Sequence, residues 1–140
     1  MSKGKIILAS VIIWIVSLFI SWMSCGWLFN WIYVLSPVEA WKEQAAVMFT
    51  NNIIGMNVLG LVKAFIFVIV FVVLYKGIPS HGVIKGIVYG ILIWATGVLT
   101  GVITMPFYMA LVSTVAFYWA AQALIINIIA GSIVGVMIKK

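Results

Sequence analysis

The chain has 140 residues, 66% of them apolar and only 7% charged, and a mean hydropathy of +1.33, which lies outside the range of water-soluble domains. At about 20 residues per membrane helix it has room for four spans and for no separate catalytic domain. The net charge of +6 comes from eight lysines without a single arginine; six of them sit at segment ends, a pattern that encodes topology and argues against a nucleic-acid partner, which needs a basic stripe on a soluble surface.

The first apolar run follows Lys3 and Lys5 and continues from Ile6 to Leu35 without a charge. It predicts a span over about 6–29. A cleaved secretory signal is the competing pattern, but the run is too long, and apolar Gly26-Trp27-Leu28-Phe29 stands where a polar mature start belongs, so the segment is expected to stay uncleaved. The lone Cys25 has no partner for a disulfide within the chain, which also removes a claudin-like reading, and it is expected to pack as a small residue.

Ser36-Pro37-Val38-Glu39 has the form of a helix start, with Ser36 as N-cap, Pro37 at the first helical position and Glu39 closing a capping box. A short interfacial helix is expected over about 37–49. It holds both acidic residues, Glu39 and Glu43, one turn apart, with Trp41 between them and Lys42 alongside.

The remaining spans are predicted over about 53–75, 83–104 and 113–138, separated by Lys76-Gly77-Ile78-Pro79 and by Met105-Pro106. The expected architecture is an all-α integral membrane four-helix bundle, a single transmembrane domain in the lipid bilayer. Lys3, Lys5, Lys76, Lys85, Lys139 and Lys140 then lie on one side against Lys42 on the other, which predicts both termini in the cytoplasm. Trp27, Trp31, Tyr33, Trp41, Tyr108 and Tyr118 gather on the opposite side as an aromatic belt.

Advancing about 100° per residue, Ser10, Ser17, Ser21 and Ser24 share a narrow arc of the first span. The third span repeats the device with Gly82, Gly86, Gly90, Gly97 and Gly101. The fourth does so with Ala116, Ala120, Ala123, Asn127 and Gly131, followed by the Gly131-xxx-Gly135 pair, and the second with Asn57, Gly60 and Ala64. Small faces of this kind let helix backbones approach closely in lipid, where the hydrophobic effect does not drive helices together. They predict helix packing, within the chain, between copies of it, or against a larger membrane partner.

Lys63 is the anomaly. It lies about 18 Å from either end of the second span, too deep to snorkel, and a lysine at that depth costs roughly 2.5–3.5 kcal/mol on insertion scales. At similar depth the other spans offer Ser17 or Ser21, Trp94, Thr96 and Asn127. The indole of Trp94 is a candidate cation–π partner for the ammonium. No carboxylate lies in any span, so the charge calls for an anionic ligand or lipid, for Glu39 or Glu43 folding inward, for another protein, or for Ser, Thr, Asn and backbone oxygens.

Catalytic constellations are missing from the sequence: His81 is the single histidine and sits in a loop, and the serines have no base within their spans. No reaction, cofactor or metal is expected. Trp31-Ile32-Tyr33 through Trp41-Lys42, then Lys85-Gly86-Ile87-Val88-Tyr89-Gly90, Pro106-Phe107-Tyr108 and Trp119 resemble a loose group of small four-span prokaryotic membrane proteins of unknown function. The resemblance implies four spans and no activity. Small multidrug transporters differ by their first-span glutamate, which has no counterpart between Ile6 and Leu35, and fluoride channels differ by their arginine. The leading expectation is a structural or accessory subunit that works by helix packing. A small transporter, channel or lipid-binding protein that uses Lys63 is the alternative.

Overall fold

The computed structural model describes residues 3–36 and 50–138, and the expected interfacial helix with Glu39, Trp41 and Glu43 lies outside them. Among the described residues the regular structure is entirely helical. Four helices are long and apolar enough to cross a membrane, Lys3–Leu28, Asn51–Leu74, Gly82–Phe107 and Ser113–Met137. Their ends fall within a few residues of the limits read from the lysine, glycine and proline boundaries.

Helix α1 (Lys3–Met23) continues through a wider π-wound turn, Ser24–Leu28, closed by the Phe29 amide donating to the Ser24 carbonyl at 2.9 Å. A 3₁₀ segment, Asn30–Leu35, follows. Ser36 ends it in extended conformation, and its hydroxyl oxygen accepts the Val112 amide at 3.2 Å, so the chain leaving α1 is fastened to the start of the last helix. Helix α2 is Thr50–Leu74, and α3 begins at Gly82–Ile93. The line of α3 widens into π turns over Trp94–Leu99 and returns to α geometry over Thr100–Ile103. A 3₁₀ turn at Met105–Phe107, with Pro106 inside it, ends that span, and α4 is Ser113–Met137.

The closest packing joins α3 and α4. A Cβ built on Gly86 would collide with the Gly131 carbonyl, and one on Gly90 with the Asn127 carbonyl; Gly135 faces the Gly82 carbonyl in the same antiparallel register. No side chain separates the two backbones at these crossings, which is why glycine is required there. Gly97 and Gly101 behave differently. Nothing lies within 4 Å of where their Cβ atoms would be, and both are exposed.

The main core gathers Ala9 and Ile13 of α1, Phe67, Val68 and Phe71 of α2, Tyr89 of α3 and Val134 of α4. These residues come from the start of α1 and α3 and the end of α2 and α4, so successive helices run in opposite directions. Tyr89 is 1% exposed; its hydroxyl donates to the Phe67 carbonyl at 2.6 Å, and its ring stands edge-on to Phe67 and Phe71 at 4.7 and 5.1 Å. A smaller core of Ile32, Leu111, Val115 and Ala116 closes the other end.

Candidate functional site

Beside the main core, walled by α1, α2 and α4, a cavity of about 190 Å³ remains. Ser17 and Ser21 of α1, Gly60 and Lys63 of α2, and Asn127 of α4 stand on its wall, with Trp14 at one side. Residue count along the spans puts Ser17 or Ser21 and Asn127 at the depth of Lys63, and the fold brings both serines, Lys63 and Asn127 to one space.

The polar groups of this wall are short of partners. Several hydroxyls elsewhere in the helices turn back onto their own helix, as Ser10 does to the Ile6 carbonyl at 2.9 Å, Ser24 to Ile20 at 2.8 Å and Ser132 to Ile128 at 2.8 Å. Among the described residues Ser17 and Ser21 make no such bond, and the Lys63 ammonium has neither a hydrogen bond nor an ion pair. The Trp14 indole N–H is buried without an acceptor among the described residues. Gly60 lets it lie close: the edge of the indole is 3.2 to 3.3 Å from where a Gly60 Cβ would be, a tighter contact than a larger residue makes without the ring shifting. Asn127 is 5% exposed and donates to the Ala123 carbonyl at 2.7 Å. The wall therefore offers two unpartnered hydroxyls, which can donate and accept, an indole N–H and one positive charge.

Lys63 sits at the cavity mouth. It is exposed, as are Leu59, Val62 and Ile66 beside it on α2, whereas Ala64 and Phe67 turn into the core. The opening thus lies on an apolar flank of the helix.

Trp94 is not part of this arrangement. Its indole donates to the Ala120 carbonyl of α4 at 2.8 Å, which fixes the widened part of α3 against α4. Thr96 is exposed and bonds back to the Leu92 carbonyl at 2.8 Å. The cation–π contact of the described residues belongs to another lysine. Lys85, read from sequence as one of the topology lysines, is 9% exposed; its ammonium lies 4.2 Å from the Tyr75 ring centre and donates to the Tyr75 carbonyl at 2.8 Å. A cation at the open carbonyls of a helix C-terminus is favourable, and the Tyr75-to-Lys85 turn supplies it. His81, just before α3, is exposed.

A second polar cluster, which the sequence reading missed, joins α1 to α4 near the other end. The Gln122 amide donates to the Ser24 hydroxyl and lies 3.2 Å from the Cys25 sulfur, and the Tyr118 hydroxyl lies 3.8 Å from the same sulfur. Cys25 is thus a member of a polar network and not simply a small packing residue. The Trp119 indole donates to the Tyr33 hydroxyl at 2.9 Å. Burial, and after it the Cys25 thiol, hold the Tyr33 phenol above the usual tyrosine range, with the Trp119 N–H pulling the other way. Gln122 as the one glutamine within a span was the available signal.

Comparisons with family models, with characterised proteins and with solved structures find no match to this chain.

Proposed function

We propose that this chain is a non-enzymatic, multi-pass integral membrane protein whose working element is the cavity at Lys63, where it binds an anionic group. One observation carries the reading: a lysine far from both helix ends borders a cavity whose serine hydroxyls and indole N–H have no partners among the described residues. Such a charge in a membrane span is expensive, and spans retain it where it meets a ligand, an ion or a partner. Chain purified into lipid nanodiscs is expected to carry acidic species in native mass spectra, and Lys63→Met is expected to deplete them. Wild-type chain that carries none, and that the variant matches, overturns the reading.

The reading of the chain as an accessory subunit draws its support from a different surface. Gly86, Gly90, Gly131 and Gly135 serve the α3–α4 contact, but Gly97 and Gly101 lie open together with exposed Thr96, Thr100 and Thr104. In this second reading that face packs against another membrane helix, from a second copy or a larger complex. Crosslinking in nanodiscs tests it, and a strictly monomeric chain that co-purifies with nothing counts against it. Both readings place the two termini in the cytoplasm, supported by exposed Lys3, Lys5 and Lys76 at the end of the bundle where α1 starts and α2 finishes.

A further inference from the structure

Resting on the Lys63 reading, we infer that the anionic group is the carboxylate of a single-chain fatty acid. Its acid end sits in the cavity, and its hydrocarbon tail leaves along the apolar flank of α2.

Three features narrow the ligand to that class. The first is depth. Lys63 stands thirteen residues after the start of α2 and eleven before its end, which at about 1.5 Å per residue puts it roughly 16 to 20 Å from the two helix ends. A phosphate ester or an inorganic anion must keep its charge at neutral pH and would have to be dragged through hydrocarbon. A carboxylic acid can cross protonated and neutral. At Lys63 its proton passes from the carboxyl oxygen to the amine nitrogen and stays there, so the carboxylate and ammonium together form a pair with no net charge. No ion has to leave through hydrocarbon, and no redox partner or further reactant is involved.

The second feature is the mouth. Lys63 opens beside exposed Leu59, Val62 and Ile66, which are 69%, 46% and 56% exposed, so whatever enters from this flank enters through an apolar surface. A tail that stays on that surface is compatible with it, and a fully hydrated anion is not. The third is fit. A cavity of about 190 Å³ corresponds to roughly six water volumes, more than a carboxyl group needs, so the first methylenes enter as well. The wall has both parts: Ser17, Ser21 and Lys63 donate, while Leu18, Phe67 and Ile126 are apolar.

The test uses the full chain in phosphatidylcholine nanodiscs, titrated with carboxyl-¹³C oleic acid and followed by the carboxyl NMR shift and by native mass spectrometry. Saturable one-to-one binding of oleate is expected, weakened at least about tenfold in Lys63→Met. Oleyl alcohol and acetate are expected not to compete. Ser17→Leu, which fills the cavity and keeps the lysine, is expected to lose binding too, and it carries the test if Lys63→Met fails to fold. Acetate competing as well as oleate would overturn the fatty-acid inference and leave the anion site standing. Lysophosphatidate outcompeting oleate would likewise overturn it, in favour of a phosphate headgroup. Oleyl alcohol binding as tightly as oleate, with Lys63→Met unchanged, would sink both the inference and the anion reading. So would an absence of binding by every probe.

Discussion

Gly86 of α3 and Gly131 of α4 meet backbone to backbone, and a methyl group placed on either would strike the other's carbonyl. The contact holds the two helices at a distance that no other residue allows. Gly86→Val is expected to force them apart and destabilise the fold by about 2–4 kcal/mol, whereas Gly97→Ala, in open space, is expected to stay within about 0.5 kcal/mol of wild type. Denaturation of both variants in mixed micelles provides the comparison. Equal effects would mean that the crossing does not govern stability.

Lys85 fastens the start of α3 to the end of α2 through the Tyr75 carbonyl and ring. Lys85→Met keeps most of the aliphatic stem and removes both contacts, with an expected loss of about 1–3 kcal/mol. In a Tyr75→Leu background the carbonyl remains and the ring does not, so the same substitution should cost less. A double-mutant cycle measures the difference, and a coupling of zero would remove the cation–π contribution.

Tyr89→Phe separates a hydrogen bond from a packing contact, because the ring remains against Phe67 and Phe71 while the donor to the Phe67 carbonyl disappears. A destabilisation of about 1 kcal/mol is expected. Tyr89→Ala should cost about 3–5 kcal/mol, since it empties the centre of the main core. If the two variants unfold at the same denaturant concentration, the hydroxyl and not the ring anchors the core.

Tyr33 gives the pH dependence. Its folded-state phenol is held above the usual value, so its contribution to stability is complete below about pH 10 and is lost as the pH rises beyond that, where the unfolded chain ionises first. Unfolding midpoints between pH 8 and pH 11.5 should fall more steeply for wild type than for Tyr33→Phe. Parallel curves would show that burial of this phenol has no energetic weight.

Long apolar runs bounded by lysine, glycine and proline made the four helices legible, because hydrophobic length is set by composition alone. The grouping of Ser17, Lys63 and Asn127 was legible for a related reason: depth along a helix follows from residue count. Direction around the axis does not. Trp94 shares their depth, yet it faces Ala120 across the α3–α4 contact, and only tertiary packing decides that. The widened turns at Ser24–Leu28 and Trp94–Leu99 leave no periodic signature in the sequence, and one of them contains Cys25, whose polar neighbours were unforeseen. Lys85 looked like a charge for the membrane surface because its partner, a backbone carbonyl, has no side-chain signal. Of the glycines, the sequence could name the stripe but not which members another helix already covers.

The α3–α4 contact also makes a unit to which the cavity does not belong. The two helices are joined by a short connection between Phe107 and Ser113, so their pairing requires little loop closure. The cavity wall takes residues from α1, α2 and α4. It therefore has no existence in that hairpin by itself and needs α1 and α2 as well. An occupant of that space would hold the finished protein together, and its release would be felt first as a loosening of α1 and α2 from a hairpin that stays intact.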